Sequence, residues 1–390
     1  GVFWVNMPDF ASSLNSMQIQ RGLGTSTNGS GAFGATINLE TKTLNPKAYG
    51  EISNSIGFLE NNKEVNNIQY NSRKHTVQFG SGLINNKFSF EGRLSNIQSE
   101  GYIDRATADL KSYFLSGAYY GRKTIIKAIT FGGKELTYQS WYGTPESRVN
   151  NNREQMLEHA GNNGLTLEQT RNLLKSGRTY NFYTYDNQVD NYNQDHYQLH
   201  LSHEVNSKLT ANLSFHYTKG YGYFEEFKED EDFSDYGLSN KITPNDTITS
   251  TDLIRRRWLD NDFYGMTYSL LFNPNNKLKA TLGGGINNYE GDHFGEIIWA
   301  EVASNSFPRE NYYFSNASKL DGNIFMKLNY FINKKLNLYY DFQFRRINYK
   351  TKGTDNDLRS IDVNENFSFV NPKVGFNYRA NENISSYFFA

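Results

Sequence analysis

Residues 209–218 read Leu209-Thr210-Ala211-Asn212-Leu213-Ser214-Phe215-His216-Tyr217-Thr218, an apolar and a polar residue taking turns throughout. Successive side chains of a strand point to opposite faces, so the pattern makes one face greasy and the other wet. The stretch from Leu336 repeats it, with Leu336, Leu338, Tyr340, Phe342 and Phe344 set against Asn337, Tyr339, Asp341, Gln343 and Arg345. A soluble antiparallel sheet with one solvated face would alternate in the same way. Length separates the two cases. Several such runs exceed the roughly 9–11 residues that a strand needs to cross a bilayer, whereas soluble strands average about 5–6.

Working outward from these two stretches, strands are expected near 47–60, 68–84, 87–98, 109–121, 123–137, 192–205, 208–221, 256–273, 277–291, 320–332, 335–350, 366–380 and 383–390. That makes about thirteen. Tight connections occur at Asn85-Asn86, Gly121-Arg122, Asn206-Ser207, Asn273 to Asn276, Asn333-Lys334 and Asn381 to Asn383, all built from turn-tolerant residues. Between them lie longer ones, 61–67, 99–108, 138–191, 222–255, 292–319 and 351–365. In an up-and-down meander alternate connections emerge at the same end. One end is therefore trimmed and the other carries large loops, as in outer-membrane barrels with short periplasmic turns and long extracellular loops. Within 138–191, Thr166 and Gln169 fit a capping box, and Leu167, Thr170, Leu173 and Leu174 share a helical face that Gly177 can close.

Composition agrees. Phe and Tyr number 28 each against 7 Pro, a strand-favouring profile. Mean hydropathy is polar, and no run approaches the ~18 consecutive apolar residues of a membrane helix. A transmembrane barrel stays compatible, because only every second residue of its strands is apolar. With 40 basic against 41 acidic residues and no basic patch interleaved with aromatics, nucleic acid is not an expected partner. The absence of cysteine removes thiolate chemistry and Cys-based metal sites. The chain starts at Gly1 and stops at Phe388-Phe389-Ala390 inside a strand-like pattern, which reads as a piece of a longer protein.

Residues 21–41 read Arg21-Gly22-Leu23-Gly24-Thr25-Ser26-Thr27-Asn28-Gly29-Ser30-Gly31-Ala32-Phe33-Gly34-Ala35-Thr36-Ile37-Asn38-Leu39-Glu40-Thr41. This run resembles the end of the plug domain of TonB-dependent receptors, with Arg21, Gly22, Gly29, Ala32, Gly34, Ile37, Asn38 and Thr41 on the family's pattern without a gap. Leu23, Asn28 and Ala35 depart from it, standing where Pro, Tyr and Gly are usual. Gly29 to Gly34 also match the dinucleotide fingerprint, but that motif requires a following helix, and Ala35 to Glu40 alternate like a strand. Residues Gly101-Tyr102-Ile103-Asp104-Arg105-Ala106 are similar to a stretch of the iron-siderophore-type members. The resemblance implies an all-β, antiparallel transmembrane β-barrel, incomplete at about 13 of 22 strands, with the remnant of a plug domain. Residues 1–45 would close the plug and 46–390 form the N-terminal part of the barrel. It further implies the outer membrane of a Gram-negative bacterium and contact with outer-membrane lipid. TonB would be met through an N-terminal segment outside this chain. The expected activity is energy-coupled uptake of a scarce ligand, a ferric siderophore or haem, then cobalamin or a glycan; a passive porin is the lesser alternative. No resident cofactor is implied.

For capture, the aromatic and Arg-rich connections single out Trp141, Tyr142, Tyr221, Tyr223, Arg255, Arg256, Arg257 and Trp258. Broad rings and guanidinium groups suit a bulky, partly anionic chelate or porphyrin, although aromatics at strand ends also serve as membrane girdles. On a strand His196 and His200 share a face but stand about 13 Å apart, and His203 points the other way, so they cannot hold one metal. The acidic run Glu225, Glu226, Glu229, Asp230, Glu231, Asp232 and Asp235 reads first as a solvated loop; calcium or the rim of a ferric ligand is the lesser alternative, since oxygen ligands suit hard cations, although EF-hand spacing is missing. No nucleophile, base and orienter set is present, so the chain does not read as an enzyme.

Overall fold

The structure, a computed structural model, describes residues 6–22, 24–29, 34–41, 45–60, 69–305 and 307–389. The N-terminal segment forms a two-stranded antiparallel hairpin, β1 (Leu14–Arg21) with β2 (Ala35–Thr41). Arg21 pairs with Ala35, the Gly22 amide donates to the Gly34 carbonyl at 2.8 Å, and Gly22 sits at φ +81, which glycine adopts without cost. Asn38 pairs with Gln18, and Gly29 also has positive φ. Leu23, Ala32 and the connection 61–67 lie outside the described residues.

The wall follows as β3 (Ala48–Glu60), β4 (Gln69–Ser81), β5 (Phe88–Ser99), β6 (Ala108–Tyr120), β7 (Thr124–Tyr138), β8 (Val189–Asn206) and β9 (Leu209–Asp232). A short ribbon of β10 (Lys241–Ile242) and β11 (Thr247–Ile248) interrupts it. It resumes as β12 (Ser250–Asn275), β13 (Leu278–Ala300), β14 (Asn311–Phe331), β15 (Leu336–Thr354), β16 (Ser360–Arg379) and β17 (Ser385–Phe389). These make one antiparallel sheet of 13 strands in which sequence neighbours are spatial neighbours, with β3 and β17 at its two edges. Every expected strand is present.

Three of the expected loops are corrected. Connections 222–255, 292–319 and 351–365 are mostly strand, because β9, β12, β13, β14, β15 and β16 continue past the point where apolar alternation stops. Alternation marks only the stretch whose outward face stays apolar; beyond it the ladder carries polar pairs such as Glu225 with Arg256 and aromatic ones such as Tyr223 with Trp258. The acidic run is corrected with them. Glu225 pairs with Arg256 at 2.7 Å and Glu226 with Arg255 at 2.9 Å across β9 and β12, so these carboxylates are cross-strand partners rather than a solvated loop.

The two faces differ as the sequence implies. A rung through Arg93, Phe114, Phe131, His196, Thr218 and Phe263 is buried or half-buried and looks toward the N-terminal segment. The opposite face leaves Phe79, Phe90, Leu115, Leu199 and Phe215 exposed. So continuous an apolar surface is costly in water and favourable in hydrocarbon.

The N-terminal segment touches widely separated strands of the sheet, which therefore curls around it. Phe10 stacks on Phe131 at 4.5 Å, and Phe131 on His196 at 4.4 Å. Asp9 receives bonds from Lys74 (2.6 Å), Arg93 (3.0 Å) and Ser95 (2.5 Å) on β4 and β5. Far along the sheet, the Ser26 amide donates to Asp341 at 2.8 Å and Lys373 to the Gly24 carbonyl at 2.5 Å. Gly133 permits the close approach: a Cβ there would lie 2.8 Å from Pro8 Cγ and 2.2 Å from the Lys111 carbonyl.

Candidate functional site

At the long-loop end, residues 139–188 fold into a small lobe rather than a floppy connection. Helices α1 (Glu146–Val149), α2 (Arg153–Asn162) and α3 (Leu167–Lys175) pack around Met156, Ala160, Leu173 and Tyr180. The expected capping box is formed, with Thr166 and Gln169 bonding reciprocally. Sequence reasoning missed α2, whose buried side is only Met156 and Ala160, too sparse a stripe to mark a helix. Arg148 fastens the lobe by donating to the Leu173 and Leu174 carbonyls.

Buried amides attach this lobe to the wall. Gln139 donates to the Val189 and Glu225 carbonyls, Gln188 donates to Gln139, and Asn181 bridges the carbonyls of Asp104 and Gln139. The stretch 101–106 has the same task. Gly101 takes positive φ, the Asp104 amide donates to the Thr179 carbonyl at 2.7 Å, and the Arg105 guanidinium clasps the Tyr183 carbonyl at 2.6 and 3.1 Å.

So held, the lobe presents an aromatic panel to the inner side of the rim. Trp141 and Tyr142, 56% and 73% exposed, meet Phe182 and Tyr183, and Trp141 stands edge-on to inward-facing Phe224 at 5.6 Å. Burial raises the Tyr183 phenol above its ordinary value, with Tyr142, Glu226 and Asp190 adding to the effect, so it remains a neutral donor. Arg257 lies over the Phe224 ring at 6.0 Å and donates to the Tyr312 hydroxyl at 3.3 Å. Among the described residues no carboxylate reaches ion-pair distance of Arg257. Arg255 shares its face but is tied to Glu226 and the Tyr236 hydroxyl. The panel can therefore offer flat contact area plus one cation not already neutralised.

The eight residues singled out by composition divide between two faces. Trp141 and Tyr142 meet the inward side with Arg255 and Arg257. Tyr221, Tyr223, Arg256 and Trp258 stand on the outward face, where Trp258 pairs across the ladder with Tyr223 and Phe294. Register forbids one pocket from using both sets: Arg257 and Trp258 are adjacent in a strand and point oppositely. The histidines are dispersed among wall contacts. His196 bonds Gln194 and Thr218, His200 bonds Ser214 and Gln198, and His203 bonds Thr124. The Asp9 contacts with Lys74, Arg93 and Ser95 were not legible beforehand, since they depend on which strands the segment meets.

Comparison with solved structures gives the fold a context. The chain resembles the ferric-catecholate import receptor Fiu of E. coli K12 at TM-score 0.68 and 12% identity, over 97% of this chain and 59% of that one. It resembles the siderophore receptor PiuA of Acinetobacter baumannii at TM-score 0.65 and 11% identity, over 97% and 54%. It also resembles the ferric yersiniabactin uptake receptor FyuA of Yersinia pestis at TM-score 0.63 and 11% identity, over 97% and 51%. The chain thus spans between 51% and 59% of these proteins' lengths. Such identities show a shared fold. No protein-family model and no curated protein sequence matches the chain.

Proposed function

We propose that a chain with this fold belongs to a TonB-dependent receptor of a Gram-negative outer membrane, and that it imports a ferric chelate of the siderophore class. Residues 1–45 are read as the closing part of its plug and 46–390 as wall. One observation carries the proposal: the described part of the N-terminal segment occupies the inside of a lipid-compatible sheet and bonds to it at both ends, through Asp9 to β4 and β5 and through Ser26 to β15. An open pore has no use for such an occupant. A gated importer does, because passage then requires work to move it.

The chelate class is supported by the rim, where Trp141, Tyr142 and Arg257 combine flat surfaces with an available cation, and by relatives named for ferric-catecholate, siderophore and yersiniabactin uptake. Haem offers a comparable flat anion and is the second candidate. The test is growth of a receptor-deletion strain, complemented with the full receptor gene, on ferric catecholate, ferric citrate or haem as sole iron source. Rescue on a ferric chelate that disappears on deleting TonB is expected. Rescue that survives this deletion would mean a passive pore.

A further inference from the structure

The outward face carries a second aromatic surface that lipid contact does not explain. Trp258 is its centre, 9% exposed, with ring centroids of Tyr223 at 4.5 Å, Tyr221 at 5.0 Å and Phe294 at 5.8 Å, the last stacked at 11°. Phe314 extends it on β14, 6.4 Å from Phe294. Arg256 caps one end, its guanidinium 4.3 Å above the Tyr223 ring. Tyr221 and Phe314 remain 45% and 44% exposed. The Trp258 indole N–H is enclosed without an acceptor among the described residues, although buried Trp normally finds one.

Height decides what this surface meets. On the same strands the apolar band ends at Tyr264 and Tyr217, and a polar belt follows. In it Lys219 binds Asp260 and Asp262, Tyr217 donates to Asp262 at 2.6 Å, Asn288 donates to Tyr264, and Asn316 donates to Asp292. Trp258 lies six residues beyond Tyr264, about 20 Å along the strand, or ~15 Å in height at the usual barrel tilt. Phospholipid headgroups reach only about 5–8 Å above the hydrocarbon. The belt matches the headgroup layer, and the aromatic surface stands above it while still facing the membrane's neighbours.

We infer that the outward patch centred on Trp258 binds the oligosaccharide headgroup of a glycolipid in the outer leaflet. The inference rests on the membrane placement proposed above. Pyranose rings offer C–H faces that stack on flat aromatic surfaces, and hydroxyls that bond to the amides, carboxylates and guanidinium at the rim of such a surface. Hydrocarbon chains cannot reach this height. The surface is also continuous with the lipid-facing wall on β9, β12, β13 and β14, so a lipid anchored beside that wall presents its headgroup here.

The test uses the full receptor in detergent, with lipid binding read by native mass spectrometry. Three probes are compared: lipopolysaccharide bearing the inner-core oligosaccharide, the same lipid trimmed to lipid A, and phosphatidylethanolamine. At least tenfold preference for the core-bearing form is expected, and a Tyr221→Ala, Phe314→Ala double variant should lose most of it while keeping its affinity for the other two probes. Both positions are exposed, and unchanged heat-resistant electrophoretic mobility checks that the variant has folded. Equal affinity of the parent for core-bearing lipid and lipid A overturns the inference, as does a variant that retains the preference. A parent dimer that the double variant abolishes, without any glycolipid preference, would assign the patch to a second copy. Failure to insert into phospholipid vesicles would sink the membrane reading instead.

Discussion

Asp9 concentrates the attachment of the N-terminal segment in one carboxylate. It sits at φ +50, a left-handed conformation that Asp tolerates better than most residues. Its side chain is 7% exposed beside an Arg93 side chain that is 3% exposed. Burial raises its pKa, but the bonds from Lys74, Ser12 and Ser95 and the charge of Arg93 outweigh that and hold the carboxyl below its ordinary 3.8. Removing one partner of a buried pair strands the other, at a cost of about 3–5 kcal/mol. Asp9→Asn should therefore loosen the segment, seen as faster hydrogen exchange across β1 and β2 in the full receptor while the wall strands stay protected. Unchanged exchange there would show that Phe10 and the other apolar contacts suffice. The pH dependence has a definite sign. A depressed carboxyl pKa adds stability that is fully present above the unfolded value and is lost as pH falls through the folded one. Loosening of the parent is thus expected only in acid below about 3.8, and the Asn variant should lack that transition.

Strands and loops show how far alternation can be read. Thirteen strands were legible because the period of two survives wherever one face is apolar and the other polar, as in Leu209 to Thr218. Their upper limits were not, because past the apolar band the outward face changes to a polar belt and then an aromatic patch, and pairing depends on partners such as Arg256 and Glu225, which lie on different strands. The split of the capture residues was latent in the same alternation. Continuing the parity of Phe215 through Tyr217 to Tyr221 and Tyr223 puts those rings outside, and Trp258 follows through its pairing with Tyr223. Trp141 could not be placed that way, since it leaves the strand and meets Phe224 only through the lobe. For capture, Trp141→Ala with Tyr142→Ala should weaken ferric-chelate binding by tenfold or more, at about 1–2 kcal/mol per lost contact. Arg257→Gln should slow association chiefly at low salt if the chelate is anionic. Direct titration of the full receptor decides it, and parental affinity in both variants would move the site away from this rim.

At the scale of the whole molecule, a meander of antiparallel strands has a polarity that fixes which end faces the cell exterior. Turns at 207–208, 276–277 and 332–335 emerge at one end, and the lobe of 139–188 and the connection 233–249 at the other. Outer-membrane barrels put their short turns in the periplasm. The structure supplies exposed positions at each end: Asp232 and Asn162 at the lobe end, Asn276 and Lys334 at the turn end. None of the four has positive φ, so cysteine can replace each without strain. These 390 residues contain no cysteine, and the unsubstituted full receptor is labelled alongside as the control. On intact cells expressing the full receptor, a membrane-impermeant maleimide should label cysteine at Asp232 and Asn162 and leave cysteine at Asn276 and Lys334 unmodified until the outer membrane is breached. The rim of Trp141, Tyr142 and Arg257 would then face the medium from which ligand arrives, and the patch at Trp258 the outer leaflet beside it. Labelling only at Asn276 and Lys334 would invert the molecule and turn the capture rim toward the periplasm. Labelling at all four on intact cells would mean that no membrane separates the two ends, and the lipid assignment of the outward face would fall with it.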